Sequence, residues 1–158
     1  MARKVHGRLS ALEREAIEKI NLLRTQHRIT AESGHLLNEA VIVHDLLLGY
    51  HGYVKLRLEV ISGALGCTMR SLQRTFVAFY GQTMNSFHER VRVEYAEQIL
   101  SSDPGIKLMS IAADLGYDRE SEFNRFFRRK RGISLTEFAQ VVRSKRHAGA
   151  SISGLDLD

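Results

Sequence analysis

The chain of 158 residues contains little cysteine, little proline and no long uninterrupted apolar run. Its one cysteine, Cys67, cannot form a disulfide within the chain, and the lack of paired cysteines fits a reducing compartment. The longest apolar stretch, residues 36–50, is interrupted by two acidic residues and a histidine, and the N-terminus is charged before any apolar run begins. We therefore expect a cytoplasmic protein with neither a secretory signal nor a membrane span.

The scarcity of proline, with Pro104 the only one, leaves long stretches free to form helices. Leu, Ala, Glu, Arg and Gln recur at helical spacing, which predicts an all-α protein. Residues 56–146 carry 15 basic and 10 acidic side chains, the same excess of +5 as the whole chain. Such an excess favours a polyanionic partner, and a solvated basic face is the alternative of equal weight.

The sequence contains an internal repeat. The apolar pattern that ends at Gly66 recurs 50 residues later and ends at Gly116. After these glycines the matching residues are 51 apart. We interpret residues 56–88 and 107–139 as two copies of one unit. The matching pairs are Leu58 and Leu108, Ile61 and Ile111, Leu65 and Leu115, Gly66 and Gly116, Leu72 and Phe123, Arg74 and Arg125, Phe76 and Phe127, Gly81 and Gly132, Thr83 and Ser134, and Phe87 and Phe138.

Each copy has the pattern of a helix-turn-helix unit, the first over 56–83 and the second over 107–139. In the first, Gly66 can end a short helix in the left-handed conformation, and Thr68 can cap the next one. In the second, Gly116 is the expected stop, and Asp118 is the expected cap, within one residue.

A long amphipathic helix is predicted over residues 84–102, between the two units. Its apolar positions recur every four residues, and the SSDPG run at Pro104 ends it. We expect this linker helix to set the distance between the units.

The second helix of each unit has an apolar face and a polar face. The polar faces carry side chains that hydrogen-bond base edges in a major groove. The run of basic residues that ends the second of these helices suits phosphates, because a block of like charge cannot distinguish sequences. The predicted base-contacting residues are Arg70, Gln73, Arg74, Glu120, Ser121, Asn124 and Arg125, and the predicted phosphate-contacting residues are Thr68, Arg128, Arg129, Lys130 and Arg131.

Three stretches resemble the DNA-binding domain of AraC/XylS-type transcription regulators: LEVISGALGCTMRSLQRTF, RVRVEYAEQIL and LMSIAADLGYDRESEFNRFFRRKRGISLTEF. The resemblance covers about residues 37–142, and we place the corresponding DNA-binding domain at 36–142. It implies two helix-turn-helix units that enter successive major-groove segments, and activation of transcription through RNA polymerase. The chain departs from the family where Met84 and Leu135 replace a frequent proline. Arg57 also stands where a capping Ser or Thr is expected, which predicts fraying of the first short helix.

The N-terminal extension, residues 1–35, is too short for the sensing domain of many relatives, so we expect no small-molecule control within the chain. Ser10 and Glu13 form a capping box that begins a helix over 12–27. That helix is expected either to pack on its own domain or to bind a second copy or a partner protein through residues 9–27. Residues 143–158 are predicted to be a flexible tail, basic and then acidic.

Metal and catalytic sites receive little support. His44, His51 and Cys67 match no common zinc pattern, and Cys67 is expected to be a buried turn residue. His88 is expected at the surface or facing phosphate. No phosphate loop, nucleophile elbow or paired carboxylates occur, so we expect neither an enzyme nor a cofactor.

The leading hypothesis is a sequence-specific, double-stranded DNA-binding transcription regulator, an activator associated with the nucleoid. The alternative is a protein-interaction adaptor, or an antagonist of another regulator, that acts through its N-terminal helix.

Overall fold

The computed structural model describes residues 8–30 and 39–152. As predicted, the protein is all-helical: the described residues form eight helices and no strand. None of these helices has the length and hydropathy needed to cross a membrane. The helices are α1 (Ala11–Thr30), α2 (Glu39–Gly49), α3 (Leu58–Leu65), α4 (Met69–Tyr80), α5 (Met84–Ser102), α6 (Leu108–Asp114), α7 (Glu120–Arg131) and α8 (Leu135–Ile152).

The chain divides into two compact units, one extending to Val91 and the other starting at Arg92. The division falls within α5, whose bounds match the predicted linker helix. Each unit has a hydrophobic core of its own.

The first unit contains α1 to α4 and the start of α5. The apolar side of α1 contributes Ala16 and Ile20 to the core, where they lie with residues of α2, α3 and α4. Burial of apolar surface is what stabilises a helix that would be marginal alone. Of the two expectations for the N-terminal helix, packing on its own domain is therefore the one that the structure supports.

The carboxylate of Glu13 joins α1 to α3. It accepts a hydrogen bond from the Ser10 amide at 2.9 Å, and the Glu13 amide donates to Ser10 Oγ at 3.1 Å, which confirms the predicted capping box. The Arg57 guanidinium donates to both carboxylate oxygens, at 2.6 and 2.9 Å, and the Arg57 amide donates to Oε1 at 3.3 Å. Arg57 provides no side-chain cap, as expected, but Glu13 holds the start of α3 instead of leaving it to fray.

The environment of Glu13 favours its charged form. Burial of the side chain, which is 1% exposed, raises the pKa, but hydrogen bonds from Arg57 and Ser10 and the charge of Arg57 outweigh burial. The pKa of Glu13 falls from 4.5 to about 2 as a result. Glu13 is thus ionised across the physiological range.

The core of the second unit is aromatic. Phe123, Phe126 and Phe127 of α7 are buried against α6 and α8. Arg92 is also buried; its guanidinium donates to the Tyr117 hydroxyl at 2.9 Å and lies 4.9 Å from the Phe126 ring centroid. The aromatic cluster fixes one side of α7, so the opposite side faces solvent.

The C-terminal segment differs from the prediction of a flexible tail from residue 143. Helix α8 continues to Ile152, and residues 153–158 of the predicted tail lie outside the described part of the chain. Arg143 donates two hydrogen bonds to the Pro104 carbonyl, at 2.9 and 2.6 Å, and Arg146 donates to the carbonyls of Ser101 and Ser102. Arg146 thus binds carbonyl groups at the end of α5 that have no helical partner, and Arg143 binds a carbonyl of the turn that follows.

The prediction for His88 was wrong. Its side chain is 5% exposed, and Nε2 lies 3.0 Å from the Tyr53 carbonyl oxygen, to which it donates. His88 therefore belongs to the interior of the first unit.

Candidate nucleic-acid interface

The two helix-turn-helix units share the geometry of their turns. Gly66 and Gly116 both have left-handed backbones, with φ of 72° and 85°. The next amide in each turn donates back to the preceding short helix: Cys67 to the Ser62 carbonyl at 3.1 Å, and Tyr117 to the Ala112 carbonyl at 2.9 Å. The same bond at an offset of 50 residues supports the interpretation of the sequence as a repeat.

Helices α4 and α7 also match in length and in the way they end. Each has twelve residues, and each ends at a glycine with positive φ, Gly81 at 67° and Gly132 at 77°. The amides of these glycines donate at 2.8 Å to the carbonyls of Val77 and Arg128, respectively. Positions 51 residues apart therefore lie at the same point on the two helices.

The starts of these helices differ. Thr68 is the N-cap of α4, and its hydroxyl accepts a hydrogen bond from the Ser71 amide at 3.1 Å, as predicted. In the second unit the N-cap is Arg119, one residue beyond the predicted Asp118, and it makes no side-chain cap bond. Thr68 thus has a capping role in addition to the phosphate contact that the sequence suggests.

Helix α4 exposes arginine on the side opposite its core. Leu72 and Phe76 are buried, whereas Arg70 and Arg74 are exposed. Among the residues that the structure describes, none forms a hydrogen bond or ion pair with either guanidinium group. Both side chains have their donors available to an external acceptor.

Helix α7 repeats this arrangement. Phe123 and Phe127 are buried, whereas Glu120, Ser121 and Arg125 are exposed. The Arg125 guanidinium likewise has no hydrogen bond or ion pair within the described ranges. It occupies the position that Arg74 has in α4.

A third exposed position extends each polar face. Val77, which is 40% exposed, lies three residues beyond Arg74, and Arg128 lies three residues beyond Arg125. The sequence places Val77 on the polar face of α4, but we did not predict a contact for it. We define the exposed stripe of α4 as Arg70, Arg74 and Val77, and that of α7 as Ser121, Arg125 and Arg128.

Two predicted base-contacting residues also bind the protein itself. Gln73 and Asn124 are half-buried, at equivalent positions beside the exposed stripes. The side-chain oxygen of Gln73 accepts a hydrogen bond from the Met84 amide at 3.4 Å, and that of Asn124 accepts from the Leu135 amide at 3.0 Å. Sequence reasoning did not identify either contact.

The basic run at the end of α7 is not uniform. Arg131 forms a two-point ion pair with Glu97, at 2.5 and 3.0 Å, and these bonds raise its pKa. The Arg129 guanidinium lies 5.7 Å from the centroid of the Phe126 ring. Arg128 and Lys130 are exposed. The four cations therefore differ in their surroundings within the protein, and Arg131 is held by an ion pair.

His44 and Cys67 pack against neighbouring residues of the first unit. The His44 ring stacks on Tyr80 and Phe87, with centroids 4.4 and 4.6 Å apart. Cys67 is half-buried in the turn, with Sγ 3.8 Å from the Ser62 carbonyl oxygen. Over residues 8–30 and 39–152, no group of three or more potential ligands could hold a metal ion.

Two helix-turn-helix units with exposed polar stripes are typical of proteins that bind DNA. Residues 61–140, about half of the chain, match the family model described as a helix-turn-helix domain. The chain belongs to the AraC-type helix-turn-helix family, a family of DNA-binding transcription regulators. The family and the fold are not those of an enzyme class. No curated protein matches the chain in sequence.

Solved structures of other proteins share the fold, among them the following two. One is the C-terminal domain of AraT, a response regulator from Geobacillus stearothermophilus, with 20% identity and a TM-score of 0.61 over 68% of this chain and 88% of that one. The other is a DNA-binding transcriptional dual regulator from Escherichia coli K-12, with 18% identity and a TM-score of 0.56 over 69% of this chain and 96% of that one.

Proposed function

We propose that the chain is a sequence-specific, double-stranded DNA-binding transcription activator that inserts α4 and α7 into successive major-groove segments. The observation that carries the proposal is the equivalence of Arg74 and Arg125. Each is exposed, each lies at the same point of a twelve-residue helix, and each projects from a unit with its own core. A solvated basic face would not need to repeat this placement.

The exposed stripes carry the chemistry that discriminates bases. An arginine donates two hydrogen bonds to O6 and N7 of guanine, which suits Arg70, Arg74 and Arg125. The Ser121 hydroxyl suits several base edges, and the Glu120 carboxylate can accept from cytosine N4. Val77 would contact a thymine methyl group. The half-sites would lie about 34 Å apart, one turn of the duplex.

The remaining polar side chains would hold the DNA backbone. We propose one phosphate contact at Thr68, where a phosphate would meet the N-terminus of α4. The other contacts are at the end of α7, where a phosphate would meet cations. Within this set Arg131 would have to exchange its ion pair with Glu97 for a phosphate, so its contribution should be smaller than that of Arg128. The set is Thr68, Arg128, Arg129, Lys130 and Arg131.

The adaptor alternative has less support. It needs the apolar side of α1 for a partner, but Ala16 and Ile20 are buried in the core of the first unit. Among the side chains of α1 that the structure describes, Leu22 is large, apolar and 58% exposed, and through it residues 9–27 would bind a second copy or another protein. From the resemblance to the family, we also propose that the protein acts in the cytoplasm and contacts RNA polymerase.

Selection of bound duplexes from a random pool tests the proposal. We expect a consensus of two short blocks separated by about one helical turn, because each unit reads one segment. Arg74→Ala and Arg125→Ala should each relax the consensus at one position, in different blocks. Recovery of duplexes without any shared sequence would contradict the proposed function.

A further inference from the structure

The equivalent residues Gln73 and Asn124 contact the helix that follows their own. Gln73 lies in α4 and accepts from the first amide of α5, and Asn124 lies in α7 and accepts from the first amide of α8. In both cases the donor is eleven residues further along the chain. The repeat therefore contains the same side-chain contact twice.

The first amides of a helix have no partner within the helix. Met84 and Leu135, the first residues of α5 and α8, have fully buried side chains at 0% exposure. An unsatisfied amide in such surroundings costs free energy, so an acceptor nearby stabilises the start of the helix.

The residues before these helices serve other amides. The Thr83 hydroxyl accepts from the Ser86 amide at 3.1 Å, and the Ser134 hydroxyl accepts from the Glu137 amide at 3.1 Å. The contacts of Gln73 and Asn124 are therefore additional to the ordinary caps, and they join each DNA-facing helix to its successor.

This contact limits what the two side chains can do at a base. Recognition of adenine by Asn or Gln uses the amide oxygen and the amide nitrogen together. Only the oxygen can accept from a backbone amide, so the oxygen faces the protein in both residues. Because this oxygen is already held by a backbone amide, a base could use the oxygen and the nitrogen together only by sharing or weakening that bond.

We propose that Gln73 and Asn124 are positioning residues that fix α4 against α5 and α7 against α8. Discrimination between bases then rests on the exposed residues Arg70, Arg74 and Val77 in α4 and Ser121 and Arg125 in α7, while Arg128 keeps its proposed phosphate contact. The assignment to DNA rests on the proposed function, whereas the contacts to Met84 and Leu135 can be tested without DNA.

The experiment compares Asn124→Ala with Asn124→Asp in the full chain. Aspartate keeps an acceptor for the Leu135 amide but loses the amide nitrogen. It therefore separates the positioning role from a direct contact between the nitrogen and a base. We expect alanine to speed hydrogen exchange of the Leu135 amide about tenfold and to lower Tm by about 5 °C, and aspartate to restore both. Ser121→Ala, on the same helix with no cap contact, is the control and should change neither.

Gln73→Ala and Gln73→Glu form the corresponding pair in the first unit. The longer bond to the Met84 amide, 3.4 Å, predicts smaller changes than those at Asn124. Glutamate should again restore the exchange rate that alanine increases. This pair tests whether the contact acts in both copies of the repeat.

Selection of bound duplexes then measures the effect on DNA. Asn124→Asp should keep the consensus of the parent protein, with affinity lowered on every duplex by the added negative charge. Unchanged exchange and Tm in Asn124→Ala, or loss of one consensus position in Asn124→Asp, would overturn the positioning role. If even the parent protein prefers no duplex, the proposed function is wrong. The hydrogen-exchange and Tm results would still show whether Asn124 stabilises the start of α8.

Discussion

The two helix-turn-helix units have matching backbones but different charges. Helix α4 carries two arginines and no acidic residue, whereas α7 carries five basic residues and two acidic ones. Val77 in α4 corresponds to Arg128 in α7, so an apolar side chain in one unit takes the position of a cation in the other. Under the proposed function, one scaffold would vary the balance between base recognition and phosphate binding through its exposed positions.

The units also differ in what supports them. The first adds α1, joined to α3 through Glu13 and Arg57. The second is supported by α8, where Arg143 and Arg146 bind the turn after α5 and its last residues. A change that acts on one of these supports should therefore affect one unit and spare the other.

Glu13→Ala should have the largest effect on stability. It removes a carboxylate that is 1% exposed and leaves the Arg57 guanidinium, 35% exposed, without its acceptor. We expect a loss of about 3 kcal/mol in the free energy of unfolding of the first unit, with the second unaffected. Denaturant unfolding followed by residue-resolved NMR measures both. The control is Glu15→Ala, which removes exposed contacts with Lys19 and the Tyr50 hydroxyl and should cost much less than Glu13→Ala.

The same carboxylate predicts an acid dependence. Because the pKa of Glu13 is lower in the folded protein than 4.5, its ionisation stabilises the fold above that pH and the contribution is lost as pH falls towards 2. The free energy of unfolding of the parent protein should exceed that of Glu13→Gln by up to about 3 kcal/mol at neutral pH. The difference should shrink between pH 4.5 and 2. A constant difference over that range would contradict the role assigned to Glu13.

Thr68→Ala sharpens the comparison at the starts of α4 and α7. Loss of the bond from the Ser71 amide should cost about 1 kcal/mol. Arg119→Ala, at the equivalent cap of α7, removes no cap bond and should leave stability within about 0.5 kcal/mol. Thermal unfolding of both variants is the measurement. Equal losses would show that the caps do not distinguish the units.

Much of the fold could be predicted because its signals are local. The glycines that end helices and the capping box at Ser10 each act over a few residues, and the repeat presents the same local pattern twice. The bounds of α5 followed from apolar spacing and from Pro104. Exposure of Arg74 and Arg125 followed from the burial of the phenylalanines on the opposite side.

The rest depends on residues far apart in sequence. Glu13 and Arg57 are 44 residues apart, His88 and Tyr53 are 35 apart, and no periodicity pairs them. Helical spacing placed Asn124 on a polar face but could not reveal that its oxygen binds the Leu135 amide. Residues 143–152 looked like a tail because the acceptors for Arg143 and Arg146 lie about 40 residues earlier.

The most direct measurement is a titration of Arg74→Ala and Arg125→Ala against a selected duplex and a scrambled one across a salt series. We expect each variant to lose about 1 to 3 kcal/mol of binding free energy on the selected duplex and much less on the scrambled one. Arg129→Ala, the matched control, should weaken both duplexes alike and reduce the salt dependence by about one phosphate contact. Equal losses on both duplexes for Arg74→Ala and Arg125→Ala would contradict the claim that these equivalent arginines read sequence.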